Sequence, residues 1–341
     1  MDELLTDAVR QLLADCCTPD VVRAVEAGAP ADSLWQALAE AGFADALVPE
    51  AAGGSGLPLA AVFGAIEQCG AAALPVPLAE SMVARALLAQ GGTALPDGGI
   101  VLAESLQQAA DGALACPLAR GARTARWVLA QAPAAAGEKK ATGWLLPIGV
   151  ARAEAASFGL DLVLHWPASA SAHAVPVAAL PTLRPWKALV HAALISGALQ
   201  WVFDRTLQYA NERVQFGKPI GKFQAIQHQL SVMSEHVYAA RMAAQLAFDA
   251  PGLQPDPVRI AIAKARTSEA ALAVAAASHS IHGAIGFTAE YDLHLRTRRL
   301  HQWRQTAGAE SYWYDRLGEL LLASNESSLD VLRRATDLQS A

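Results

Sequence analysis

Charge is scarce in this 341-residue chain: Asp, Glu, Lys and Arg together supply 17% of it, and aromatic residues only 6%. The net charge is −6, which excludes binding nucleic acid through a general phosphate-neutralising surface. Four cysteines, Cys16, Cys17, Cys69 and Cys116, form no C-x-x-C pair and are too few to staple a chain of this size. A reduced, cytoplasmic protein is therefore expected. No uninterrupted apolar run reaches about 20 residues, so no membrane span is expected. The opening MDELLTDAVR is acidic and amphipathic, unlike a signal peptide.

Alanine fills the gap. Hydrophobic residues make up 53% of the chain, which argues against disorder and, with so much alanine, for helices. Length alone suggests about two domains, but the pattern divides the chain into three. Residues 1–95 read as a helical domain broken by short Gly and Pro loops. Asp32-Ser33 can cap a helix over residues 34–41, with Trp35 and Leu38 facing inward and Gly42 ending it. Residues 96–185 lose the helical period. Short runs such as Ile100-Val101-Leu102, Arg126-Trp127-Val128-Leu129, Trp144-Leu145-Leu146 and Leu162-Val163-Leu164 read as a small antiparallel β domain. Residues 186–341 regain the period: Ala192, Ser196, Leu199, Phe203, Leu207 and Ala210 share one face, and Phe223, Ile226, Leu230, Met233, Val237, Ala240, Ala244 and Ala247 another. Asp256-Pro257 starts a third helix ending near His282-Gly283, and residues 310–324 form a fourth. The fold class is mainly α with a small β domain, closing in a four-helix bundle.

Neither G-x-G-x-x-G nor G-x-x-x-x-G-K-[ST] is present, which disfavours Rossmann and P-loop enzymes. His279/His282 and His294/His301 lack carboxylates or thiols at ligand spacing, so no metal is expected. Ser196 lacks a G-x-S-x-G frame and reads as a helix-packing residue. Two segments stand out. In the first, running from Arg213 to Gln227, a helix ends in arginine, a Gly-Pro turn follows, and a new helix opens with Phe223-Gln224. Such an arginine fork beside a helix opening suits a phosphate group. The plainer alternative makes Arg213 a surface ion pair and Phe216 a core residue. In the second, residues 282–291, glycines past a helix end let backbone approach an anion, or simply cap the helix.

The pair R-x-x-F-G-x-P-I-x-x-F-Q and H-G-x-x-G-F-T-x-E-Y resembles the C-terminal domain of the acyl-CoA dehydrogenases. Trp35, Leu38, Gly42-Phe43, Val48-Pro49-Glu50, Gly53-Gly54-Ser55-Gly56-Leu57 and Glu67 resemble that family's opening domain. The resemblance implies FAD bound between subunits of a tetramer, with Arg213, Phe216 and Gln224 on its nucleotide side. Gly283, Ala284 and Gly286 would approach its ADP portion. It also implies α,β-desaturation of an acyl-CoA thioester, with an electron-transfer flavoprotein or similar acceptor as partner.

Departures qualify the likeness. Ala307 falls where the commoner family base, a glutamate, would stand, and the alternative base position falls around Lys187. Glu310 is the nearest acid. The family's flavin-lining segment is reduced to Leu102-Ala103-Glu104-Ser105, and Ser280 replaces a flavin-contacting glutamine. These losses resemble the short subunits of heteromeric acyl-CoA dehydrogenases of bacterial steroid side-chain degradation, whose partner subunit supplies the base. Two further readings stand beside that one: a self-sufficient homomer using Glu310, and a non-catalytic scaffold of the same fold.

Overall fold

The computed structural model describes residues 2–131, 143–156, 159–178, 180–324 and 326–337. Parts of the expected β domain, residues 132–142, 157–158 and 179, lie outside them. The first helices are α1 (Asp2–Cys16), α2 (Pro19–Glu26), α3 (Asp32–Glu40), α4 (Leu59–Ala71) and α5 (Leu78–Gln90). Then come β1 (Ile100–Ala103), β2 (Gln107–Gln108), β3 (Leu114–Ala119), β4 (Trp127–Gln131), β5 (Gly143–Pro147), β6 (Arg152–Ala155), β7 (Leu162–Trp166) and β8 (Val175–Val177). The rest comprises α6 (Leu183–Glu212), β9 (Val214–Gln215), β10 (Lys218–Pro219), α7 (Gln224–Phe248), α8 (Pro257–His282), α9 (Leu293–Gln305), α10 (Glu310–Ala323) and α11 (Ser328–Thr336).

These elements gather into two compact units. One comprises residues 11–58 and 74–187; the other comprises the first ten residues, 59–73 and everything from 188 onward.

The first unit carries two four-stranded sheets, ordered β1-β4-β5-β8 and β2-β3-β7-β6. All pairings are antiparallel except β1–β4, which is parallel, a departure from the uniformly antiparallel expectation. Alternation in β7 places Leu162, Leu164 and Trp166 in the core and leaves His165 exposed. β1 is an edge strand whose outward polar groups face side chains instead of another strand. Ser81 Oγ accepts from the Ile100 N–H at 2.9 Å and lies 3.1 Å from its carbonyl. Glu80 accepts from the Leu102 N–H at 2.5 Å, and Lys187 Nζ donates to the Leu102 carbonyl at 2.5 Å. In the same unit α3 starts at Asp32 with Ala31 as its N-cap and no capping side chain, so the expected Asp32-Ser33 cap is not formed. Leu34 and Leu38 are its buried positions and Trp35 is half-buried, because a nine-residue helix turns the intervening residue off the core face.

In the second unit α4 and α6 cross at near backbone contact. A Cβ on Gly70 would lie 2.0 Å from the Leu194 carbonyl oxygen, and one on Gly197 would lie 1.8 Å from that of Glu67. Beside this crossing Ser196 Oγ donates to Glu67 at 2.6 Å, and Arg241 reaches the other carboxylate oxygen at 3.2 Å. Ser196 is thus a packing residue with a buried acceptor. Asp256 caps α8 through the Val258 and Arg259 N–H groups, as its Asp-Pro sequence predicts. α8 is long and apolar enough by composition to cross a membrane, but 44% of that window is buried inside the protein, against α7, α9 and α10. Leu207 is 39% exposed, so the expected α6 face ends at Phe203 and resumes at Ala210. The helix α9 was not anticipated, because buried Arg296 and Arg299 break its apolar pattern. Arg296 lies 4.1 Å above the Trp201 ring and donates to the Ala71 carbonyl at 3.0 Å.

Candidate functional site

Between α6 and α7 the chain makes a two-residue hairpin, β9 against β10, with Phe216 and Gly217 as its turn. Both have positive φ, +50° and +78°, as a tight antiparallel turn demands. Glycine enters that region freely, whereas phenylalanine does so at about 1–2 kcal/mol. Burial does not offset the strain, since Phe216 is 92% exposed. Its ring meets Phe223 edge-on at 6.2 Å, and Lys218 lies 4.4 Å over Phe223. The reading of Phe216 as a core residue is therefore wrong. So is the surface ion pair: Arg213 is exposed, and its guanidinium pairs with no acid among the described residues. Gln224, also exposed, opens α7, whose N-terminus no side chain caps. Uncommitted donors and a strained, exposed ring suit a ligand better than a core.

The second motif forms a 3-10 turn, Gly283–Phe287, at the end of α8. Gly283 has φ +62° and open space where a Cβ would be, and Ala284 is exposed beside it. Gly286 differs. It is buried, and a Cβ there would sit 3.1 Å from His279 Nδ1, so packing explains this glycine. Phe287 is 72% exposed and stacks on His279 at 4.4 Å; Ser280 is exposed in the last turn of α8.

Tyr209 joins the two motifs. Its ring stacks on His282 at 4.4 Å and its hydroxyl donates to the His282 carbonyl at 3.4 Å. The Arg213 N–H in turn donates to the Tyr209 carbonyl, so Arg213 follows Tyr209 by one turn, while Gly283 comes directly after His282. His282 Nδ1 lies 2.8 Å from the Ser278 carbonyl, which makes it the N–H donor; Nε2, 3.2 Å from the Tyr291 hydroxyl, then accepts. Burial lowers the His282 pKa, which keeps the ring neutral. Arg205 lies 5.1 Å over Tyr291 and completes the cluster. Sequence reasoning singled out the glycines, missed Tyr209, and gave Tyr291 no role beyond its place in the motif. Stacking across 73 residues leaves no local period, although His282 and Tyr291 lie within the motif itself.

At the other end of α9, Ala307 is buried, has φ +59° and accepts from Trp313 Nε1 at 3.0 Å through its carbonyl. Lys264, fully buried, donates to the Arg304 and Gly308 carbonyls and to Ser268 Oγ, each at 2.9 Å, and holds this turn. Glu310 is gripped at both oxygens by Arg304, Nε to Oε2 at 2.8 Å and the second prong to Oε1. Burial raises the Glu310 pKa, but the Arg304 hydrogen bonds outweigh it and hold the carboxyl below its ordinary range. A carboxylate so held is a poor proton acceptor.

Two family models match the chain: the acyl-CoA dehydrogenase N-terminal domain over residues 2–95 and the acyl-CoA dehydrogenase C-terminal domain over residues 185–319. The chain is 32% identical over 307 residues to acyl-CoA dehydrogenase IpdE2 of Mycobacterium tuberculosis, covering 88% of this chain and 90% of that one. It belongs to the acyl-CoA dehydrogenase family. Among solved structures it resembles a variant of the Tcur3481-Tcur3483 steroid ACAD, with TM-score 0.79, 27% identity and coverage of 94% and 97% of the two chains. The ChsE4-ChsE5 complex from Mycobacterium tuberculosis shares the fold, with TM-score 0.83, 22% identity and coverage of 95% and 98%.

For an acyl-CoA dehydrogenase family chain the inventory of acids is telling. Glu67 and Glu80 have pKa values raised by burial, but both are bound to internal partners. Lys187, around which the sequence resemblance put the alternative base position, is a buried donor to the sheet edge. No group of three or more His, Cys, Asp or Glu among the described residues could hold a metal ion.

Proposed function

We propose that this chain is the base-lacking subunit of a heteromeric, FAD-dependent acyl-CoA dehydrogenase acting on steroid-derived or similarly bulky acyl-CoA thioesters. One observation carries the reading: Ala307 is buried in a strained turn, and the nearest acid, Glu310, is closed off by Arg304. Residues 1–95, 96–185 and 186–341 are proposed as its three domains.

The residues present fit FAD. The exposed Arg213 guanidinium, which has no acid partner among the described residues, can neutralise a pyrophosphate, and exposed Phe216 offers a ring face to adenine. Gln224 adds an amide, and the open backbone at Gly283 and Ala284 admits close approach of an anion. Bound FAD supplies the hydride acceptor for oxidation of the acyl chain. This chain's part is to bind and orient the nucleotide, while a carboxylate of the partner subunit removes the α-proton. Electrons would leave to an electron-transfer flavoprotein or a similar acceptor. Exposed Tyr238 and Met242 on α7 and Leu272 on α8 offer apolar surface for subunit contact.

The homomeric reading requires Glu310 to leave a two-pronged ion pair before each proton transfer. The test is to express the chain alone and with an adjacent-gene acyl-CoA dehydrogenase-like subunit, recording flavin absorption and desaturation. The reading expects both only in the mixture. Full flavin and activity in the isolated chain would overturn it.

A further inference from the structure

The first unit carries a second concavity that the dehydrogenase reading does not use. It is an open trough of about 490 Å³ on the solvent face of the β2-β3-β7-β6 sheet. That volume falls within the range of small-molecule sites.

Its floor follows from the strand register. Gln107 pairs with Ala115, Ala115 with His165, and His165 with Arg152. Directly opposed residues project to the same face, so these four side chains form one row across all four strands. At about 4.8 Å per strand the row spans about 14 Å. Ala115, half-buried, is the low point, because a methyl stands between longer neighbours. Pro167 borders the trough, and Trp166, its side chain turned into the core, contributes to the lining from beside His165. Trp166 is fixed from the inner side by its Nε1–H donating to the Pro147 carbonyl at 2.8 Å.

Polarity is graded along the row. Arg152 and His165, adjacent at one end, supply N–H donors, with the positive charge of the Arg152 guanidinium; the middle is apolar; Gln107 closes the far end with an amide. Acids are few. Glu154 holds Arg152 at 3.0 Å, but the two side chains are 80% and 51% exposed, so an incoming anion can replace it at little cost. Asp111, in the neighbouring hairpin, already accepts from the Ala113 N–H.

We propose that this trough binds an aliphatic monocarboxylate, with the carboxylate between Arg152 and His165 and the chain lying over Ala115 toward Gln107. The charge at one end and the apolar length beyond it match such a molecule, and the row accommodates an extended eight-carbon acid. None of Gln107, Ala115, Arg152 and His165 is among the residues assigned above to the flavin or to the base.

Octanoate titrated into the full chain, followed by the His165 imidazole resonance identified with His165→Gln, tests this. A saturable shift with Kd of about 1 mM is expected. Arg152→Gln should weaken binding about 2- to 5-fold, the worth of an exposed ion pair. Ala115→Leu should raise an obstruction at the low point of the row and abolish binding with circular dichroism unchanged. Should that variant misfold, the exposed Arg152→Gln still decides the matter. Equal affinity for acetate would reduce the site to a simple anion patch, equal affinity for octanol to an apolar groove, and either result overturns the proposal. So does an unmoved His165 resonance.

Discussion

Arg304 closes on both carboxylate oxygens of Glu310, from the end of one helix to the first residue of the next. The acid that the sequence offers nearest Ala307 is thereby made a helix-junction residue. Glu310→Gln should leave acyl-CoA desaturation in the assembled enzyme within about 2-fold of the parent. Its thermal midpoint should fall slightly, because a two-pronged ion pair is lost.

The same pair sets a pH dependence. The folded Glu310 pKa lies below its ordinary value, so the unfolded chain binds protons first as pH falls. Its stabilising contribution is present above the unfolded carboxylate range and is lost as pH drops through the folded value. Denaturation midpoints measured from neutral to acid pH should therefore converge for parent and Glu310→Gln.

Phe216→Gly should separate strain from function. Removing the side chain at φ +50° relieves left-handed strain worth about 1 kcal/mol. Denaturant unfolding should show the variant as stable as the parent or slightly more so, while the assembled enzyme retains less flavin after gel filtration.

The clasp on β1 should be coupled. Lys187→Met leaves the buried Glu80 carboxylate without the cation that opposes its desolvation, at a cost of about 3–5 kcal/mol. Adding Glu80→Gln should recover much of that loss, a non-additivity that a double-mutant cycle measures directly.

At the crossing of α4 and α6, Gly197→Ala drives a methyl into the Glu67 carbonyl at 1.8 Å. A loss of about 3 kcal/mol in denaturant unfolding is expected, because backbone cannot yield as a flexible side chain would.

Much of this was legible in the sequence. The three-and-four spacing of Leu230, Met233 and Val237 and the Asp256-Pro257 start located α7 and α8 because those signals are local. Short apolar runs located β1, β4, β5 and β7. What stayed hidden depends on distant partners. The sheet edge is completed by Ser81, Glu80 and Lys187, drawn from two helices. The helix α9 buries arginines that periodicity reads as surface. At the site, motif spacing pointed to Arg213 and Gly283, but only the fold shows that Tyr209 links them. Gly286 likewise reads as a ligand glycine until its packing against His279 is seen.

The central claim is that the proton acceptor lies outside this chain. The most direct measurement is the rate of acyl-CoA-driven flavin reduction by stopped flow in the assembled enzyme. Two variants are compared: Glu310→Gln in this chain, and neutralisation of the base-position carboxylate in the partner. The account predicts that the first reduces flavin at nearly the parent rate and the second is slowed by about 100-fold or more. A collapse of the rate in Glu310→Gln, with the partner variant unaffected, would contradict it.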